Sequence, residues 1–160
     1  MSVYRASSQI SSRQPAITAD GAKDLVAVQS VFTLSGALGL NNVIEMMVLP
    51  AGHKLVDAIL ESTDLDTGGS PAITLSVGTM AGTPYDPTFA SRGVTANVIA
   101  ASTIGQAGGV ARAAVAGFST IAGQDTDRSI GVLVAAGPAT GAATGTISLT
   151  IMYRPIVHGQ

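Results

Sequence analysis

The chain has 160 residues and a formal net charge of −2, a size that fits one domain. Charged residues make up only 11% of it, less than half of the roughly 25% usual in soluble proteins, and hydrophobic residues make up 46%. The mean hydropathy of +0.43 argues against intrinsic disorder, and the lack of cysteine excludes a disulfide scaffold and a thiol nucleophile. Because the charges are balanced, the chain has no basic footprint for nucleic acid, and no nucleic-acid partner is expected.

Residues 1–24 predict an N-terminal arm that precedes the folded domain. This stretch is rich in Ser and Gln, carries Arg5 and Arg13, and has too few apolar residues to show a helix or strand period. No apolar core follows its positive charge, so it does not resemble a secretion signal, and we expect synthesis and folding in a cytoplasm.

Two charge-free stretches, residues 25–44 and 129–153, are long enough to be considered as membrane helices. Gly and Asn residues interrupt the first stretch, and Gly and Pro residues interrupt the second. These interruptions favour pairs of strands over bilayer spans, so no membrane partner is expected.

From residue 25 onward, apolar and polar residues alternate with a period of two, which is typical of half-buried β-strands. The clearest case is 146–153, where Ile147, Leu149, Ile151 and Tyr153 share one face. Further strands are predicted at 26–34, 43–49, 55–62, 72–78 and 130–134, with turns rich in Gly, Pro and Asp between them. This spacing predicts an all-β sandwich that forms a single domain over residues 25–160.

The stretch 79–116 has a less regular pattern. It contains Pro84-Tyr85-Asp86-Pro87, followed by a tract rich in Gly and Ala. A short helix near 87–90 and weak strands near 94–99 and 110–115 are all compatible with it. Long connections of this kind often carry binding functions.

Few residues are suited to catalysis or metal binding. His53 and His158 each lack a neighbouring His or Cys, so no zinc site is expected. Asp64-x-Asp66 resembles the start of a calcium loop, but the later ligands are missing and an Asx-rich turn is favoured. With two Glu and two His in all, we expect no enzyme, no metal and no cofactor.

The low charge and the many small residues favour a protein that assembles with other subunits. A surface with few charges does little to repel copies of itself, and the cores of protein interfaces are depleted in charge. A monomeric sandwich with an uncharged surface is the alternative that composition leaves open.

Five stretches resemble, in the same order, motifs of small virion proteins of tailed bacteriophages. They are Leu49-Pro50-Ala51-Gly52, Asp64-Leu65-Asp66-Thr67-Gly68, Ile73-Thr74-Leu75-Ser76-Val77-Gly78-Thr79, Ser102-Thr103-Ile104-Gly105-Gln106-Ala107-Gly108-Gly109 and Gly145-Thr146-Ile147-Ser148-Leu149-Thr150-Ile151-Met152-Tyr153. The group shows an "lpaG" turn, a "DlDtg" loop, an "lxvG" strand end and a "Gtixltxxy" final strand. The resemblance spans roughly residues 24 to 155.

This resemblance implies a jelly-roll-like β-sandwich of about eight strands, here with an extended N-terminal arm, that acts as a capsid decoration or cement protein. Such a protein binds the outer surface of a phage head after assembly in the host cytoplasm and bridges subunits of the major capsid protein. Self-association as a dimer or trimer is also implied. The group has no catalytic residues to carry over.

We expect the arm to lie on a neighbouring subunit and the long loop to make further contacts. The candidate contact residues are Tyr4, Arg5, Ile10, Arg13, Tyr85 and Phe89. The alternative function is a jelly-roll component of a fibre or head that binds a receptor or glycan, in which Tyr85 and Phe89 would form the pair of rings that stacks on a sugar.

Overall fold

A computed structural model describes residues 3–5, 25–86, 92–120 and 125–156. Nine β-strands lie in these ranges: β1 Val3–Arg5, β2 Val26–Thr33, β3 Val43–Leu49, β4 His53–Ser62, β5 Thr74–Met80, β6 Val94–Ser102, β7 Gly109–Arg112, β8 Arg128–Ala136 and β9 Thr146–Pro155. The described helical elements are two 3-10 turns, Ile104–Gln106 and Phe118–Thr120, and no described helix has the length and apolar character needed to cross a bilayer.

The strands form two sheets, one in the order β1-β3-β8-β5-β6 and the other in the order β2-β9-β4-β7. Strands β2 to β9 pair in a nested way, because β2 pairs with β9, β3 with β8, β4 with β7 and β5 with β6, all antiparallel. This nesting is the connectivity of a jelly roll. The predicted jelly-roll-like β-sandwich is therefore confirmed, and β1 adds a short parallel strand to the edge of β3.

The core lies between the two sheets, and the period-two pattern identified which side chains fill it. The side chains of Ile147, Leu149, Ile151 and Tyr153 are fully buried, while the residues between them on β9 are half-buried. On β8 the inward side chains Ile130, Val132 and Val134 are likewise fully buried. These faces agree with the prediction, because successive side chains of a strand point to opposite faces of its sheet.

Strand β3 differs, because all seven of its residues are buried. The described residues of the segment 81–93, between β5 and β6, contact its outer side through Arg92. Arg92 extends from this segment to Glu45 on β3, with Nη1 2.5 Å from Oε1, and its Nη2 donates to Oγ of Ser129 at 2.7 Å. Oγ of Ser129 also donates to Oε1 of Glu45. A buried cluster of three polar side chains thus fixes the segment against the sheet.

The two strands predicted weakly, β6 and β7, are the outermost strands of their sheets. The pairing of β6 with β5 shifts register twice, and Ala101 has a φ of 45°, so the simple alternation is broken. Strand β7 has only four residues, three of them exposed. Neither strand has a clean period of two, which explains why the sequence pattern was unclear. The helix considered near 87–90 lies outside the described residues.

Replacing Leu149 tests the assigned facing of β9. Leu149→Asp removes a fully buried side chain, whose burial stabilises the fold by about 1.5 to 3 kcal/mol, and places a carboxyl group in the core. We expect no soluble folded protein, as judged by circular dichroism and size-exclusion chromatography. The control Thr150→Asp, one residue along on the outer face, should fold. A folded Leu149→Asp protein would show that the facing is wrong.

Candidate contact surface

The described residues form no obvious reaction centre. They contain no group of three or more His, Asp or Glu side chains placed to hold a metal ion. His53 is buried at the start of β4, where its Nδ1 lies 2.7 Å from the carbonyl oxygen of Ala51 and its ring meets Tyr153 edge-on at 5.6 Å. This histidine closes a turn and packs in the core. His158 lies outside the described residues.

Four loops meet at one end of the sandwich, as the jelly-roll connectivity requires. They join β2 to β3, β4 to β5, β6 to β7 and β8 to β9, and we call residues 34–42, 63–73, 103–108 and 137–145 the four-loop end. Backbone hydrogen bonds link neighbouring loops. The pairs, donor first, are Leu34 to Gly145 at 2.9 Å, Leu65 to Gly105 at 2.8 Å, Thr67 to Thr140 at 2.9 Å and Ala142 to Leu65 at 3.0 Å.

The side chain of Asp66 holds two of these loops together. Its carboxylate accepts hydrogen bonds from the backbone N–H groups of Ala72 at 2.7 Å and Ile73 at 3.2 Å in its own loop. It also accepts from Ala139 and Thr140, both at 2.8 Å, in the loop between β8 and β9. The carboxylate is thus surrounded by backbone donors, and only 1% of Asp66 is exposed.

These contacts determine the charge state of Asp66. Burial acts to raise the pKa of its carboxyl group, but the backbone hydrogen bonds from Thr140, Ala72, Ala139 and Ile73 outweigh it. The net result is a pKa well below the ordinary value of 3.8, so the group is ionised at neutral pH. Because its oxygens are occupied by N–H donors, the resemblance to a calcium loop goes no further than the sequence spacing.

The neighbouring residue Asp64 confirms the predicted turn. Its Oδ1 accepts a hydrogen bond from the N–H of Asp66 at 2.9 Å, which is the contact that defines an Asx-turn. Two glycines allow the loops to approach closely. A Cβ on Gly145, whose φ is +148°, would lie 2.6 Å from Oγ1 of Thr63, and one on Gly141 would lie 2.7 Å from Cβ of Ala37.

The surface of the four-loop end is almost free of charge. Its loops contain two charged residues, Asp64 and Asp66, and Asp66 is buried. Its exposed residues are mostly small and neutral, and they include Ser35, Ala37, Thr67, Ser70, Ala107, Ala139 and Thr144. Leu40 is exposed over 57% of its surface. The outer face of the β2-β9-β4-β7 sheet, in contrast, carries the Asp57 and Arg112 ion pair and Glu61.

The structure describes three of the six residues predicted to make contacts. Tyr4, on β1, is half-buried and packs against Phe32 of this same chain with the ring centroids 5.7 Å apart. Arg5 is in register with Glu45 on β3. Tyr85 belongs to the segment 81–93, far along the chain from β1. Ile10, Arg13 and Phe89 lie outside the described residues, so the contact role of all six stays a prediction.

Tyr85 has an unusual backbone conformation and is half-buried. Its φ of 63° lies in the left-handed region, which a bulky side chain rarely adopts. Burial, and then the charges of Asp127 and Glu45, raise the pKa of its phenol. None of the aromatic side chains in the described part of the chain is fully exposed, so these residues offer no exposed ring that could stack on a glycan.

Comparison with solved structures gives two informative matches. The chain is similar to a chain in the capsid of Ralstonia phage GP4, with 41% sequence identity over 98% of this chain and 99% of that one, and a TM-score of 0.89. It is also similar to a chain in the capsid asymmetric unit of cyanophage Pam1, with 25% identity, 90% and 96% coverage and a TM-score of 0.66. No family model and no curated protein sequence gives a significant match.

The role of Asp66 predicts how stability depends on pH. Because its pKa is lowered in the folded state, its contribution is complete above the unfolded-state pKa, near 3.8, and is lost as the pH falls toward the folded-state pKa. We expect urea unfolding to show lower stability for Asp66→Asn than for the unmodified protein at pH 7, with the difference narrowing below about pH 4. Asp64→Asn is the control, because Asp64 is exposed and its carboxylate accepts one backbone bond. A constant difference between pH 7 and pH 3 would contradict the assignment.

Proposed function

This chain belongs to a family of phage capsid proteins, the one represented in the capsid of Ralstonia phage GP4, and on that premise we propose that it decorates the outer surface of a phage head. It is a structural protein of the virion. The proposed activity is non-enzymatic: the protein binds the assembled shell and bridges subunits of the major capsid protein. The observation that carries the proposal is the 41% identity over nearly the full length of both chains.

The four-loop end is the surface we assign to the contact with the shell. The central part of a protein interface is depleted in charge, and this end exposes only one charged residue, Asp64. Its loops are already fixed to one another by Asp66 and by backbone hydrogen bonds, so little conformational entropy is lost on binding. Small side chains also allow two surfaces to approach closely.

Bridging explains how a small protein can stabilise a large shell. A subunit that contacts two capsid proteins adds buried surface across the seam between them. Once its first contact has formed, the second is intramolecular and benefits from a high effective concentration. Self-association as a dimer or trimer would multiply this effect, because each oligomer would hold several capsid subunits together.

Introducing a charge at the four-loop end tests this surface. Leu40→Glu and Ser70→Glu each place a carboxylate at an exposed position, so the fold should be preserved. On the shell this carboxylate would be desolvated without a partner, and we expect binding to weaken at least about tenfold, which corresponds to about 1.4 kcal/mol. The measurement is occupancy on purified heads as a function of protein concentration.

The matched control for these variants is Thr126→Glu, an exposed position in the connection before β8, at the opposite end of the sandwich. It adds the same charge and should leave occupancy unchanged. If all three variants bind heads as well as the unmodified protein does, the contact lies elsewhere on the molecule. If all three lose the same amount of occupancy, the loss is a general effect of negative charge.

The arm and the long loop complete the proposal. We assign further contacts to Tyr4, Arg5, Ile10 and Arg13 in the arm, and to Tyr85 and Phe89 in the loop. The strained backbone of Tyr85 supports its assignment, because residues held in rare conformations cluster at functional sites.

Removing residues 2–20 tests the arm. The deletion takes away β1 and most of the following stretch, and we expect lower occupancy on heads together with release of the protein at a lower temperature. Circular dichroism of the free protein checks that the sandwich of β2 to β9 is retained. Unchanged occupancy would exclude a role for the arm in attachment.

A further inference from the structure

Strand β1 closes the side of the sandwich where the edges of the two sheets meet. It runs parallel to β3, with Val3 opposite Val43, Tyr4 opposite Ile44 and Arg5 opposite Glu45. The ring of Tyr4 crosses to the other sheet and packs on Phe32 of β2, which is only 7% exposed. A three-residue strand therefore covers both the edge of β3 and part of the core.

The connection that follows β1 is long. Residues 6–25 separate Arg5 from the first residue of β2. At about 3.3 Å per residue, these twenty residues can span up to about 65 Å. A folded chain of this size has a radius of gyration of about 15 Å, so the connection can span more than one whole domain. Its Ser- and Gln-rich sequence shows neither a helix period nor a strand period.

The contacts of β1 do not depend on which copy supplies it. If β1 of one copy lay on β3 of a neighbour, the same three residues would pair and the same two rings would touch. Exchange of an identical element between copies has a low energetic cost for this reason. On a crowded head surface the effective concentration of a neighbouring β3 is high, and the entropy of closure changes only slowly with the length of the connection.

We propose that on the head β1 of one copy adds to the β3 edge of a neighbouring copy, with Tyr4 packed on Phe32 of that neighbour. The exchanged strand links adjacent copies directly, in addition to the links that each copy makes with the shell. This inference rests on the proposed function only because the head brings the copies close together. The partner that binds the β3 edge is thus a second copy of this chain.

Engineered disulfides test the exchange cleanly, because the chain contains no cysteine. Neighbouring strands lie about 4.8 Å apart, within the range of Cα distances that a disulfide spans. Heads are loaded with an equal mixture of a Val3→Cys variant and a Val43→Cys variant, oxidised, and analysed by non-reducing electrophoresis. Each chain carries one cysteine, so a dimer of the two variants forms only if β1 of one copy reaches β3 of another.

The matched control pairs Val3→Cys with Val48→Cys, a buried position five residues further along β3, about 16 Å away along the strand. We expect a covalent dimer for the first pair and none for the control. Thermal melting of each single variant in free solution checks that it is folded. The double variant, Val3→Cys with Val43→Cys, should give a ladder of linked chains on heads.

Two results would overturn the exchange. One is a double variant that stays monomeric with an internal disulfide, and the other is the absence of any cross-link in either sample. The same gels, run after reduction, measure how much of the protein is bound to the heads. This amount distinguishes failure of the exchange from failure of the proposed function. Heads that carry the protein without linked chains reject the exchange alone, whereas heads that carry no protein reject decoration itself.

Discussion

The buried carboxylate of Asp66 is the interaction on which the order of the four-loop end depends. The loops there consist mainly of Gly, Ala, Ser and Thr, and their large buried apolar side chains, Leu34, Leu38, Leu65 and Ile73, belong to the core between the sheets. Polar contacts connect the remaining small residues of neighbouring loops. A buried carboxylate is costly unless it is fully hydrogen-bonded, and the N–H groups of residues 72, 73, 139 and 140 meet this requirement only when both loops are in place.

Arg92, in the segment 81–93, makes a second set of buried polar contacts, next to β3. Arg92 donates to Glu45 and Ser129, and its Nε donates to the carbonyl oxygen of Ala81, so the guanidinium group fixes both ends of the segment. Glu45, Asp66 and Arg92 are all at most 2% exposed. Only 11% of the residues are charged, and these three charged side chains hold parts of the interior together. They therefore do not contribute to the charge of the outer surface.

Much of the fold could be predicted from the sequence because its signals are local. A hydrophobic run predicts β3 and period-two alternation predicts β9, while the jelly roll is implied by the resemblance to small virion proteins of tailed bacteriophages. The functions of Asp66 and Arg92 could not be predicted. The spacing of Asp64 and Asp66 signals a turn, but the donors at residues 139 and 140 lie over seventy residues further along the chain. The contact of Arg92 with Glu45 is also remote in sequence, because the two residues are 47 positions apart.

The register of β1 relates the two proposed contacts to each other in space. Val3 lies opposite Val43, the first residue of β3, and Val43 directly follows the loop 34–42 of the four-loop end. The start of β1 is therefore placed beside the uncharged surface that we assign to the shell. Strand β2 begins at the opposite end of the sandwich, where Val26 pairs with Tyr153 near the end of β9. The connection of residues 6–25 therefore joins Arg5, which lies opposite the third residue of β3, to a strand that begins at the other end of the sandwich. When β1 lies on a neighbour, the same connection crosses between copies, and attachment to the shell and linkage between subunits then occur at the same end of the molecule.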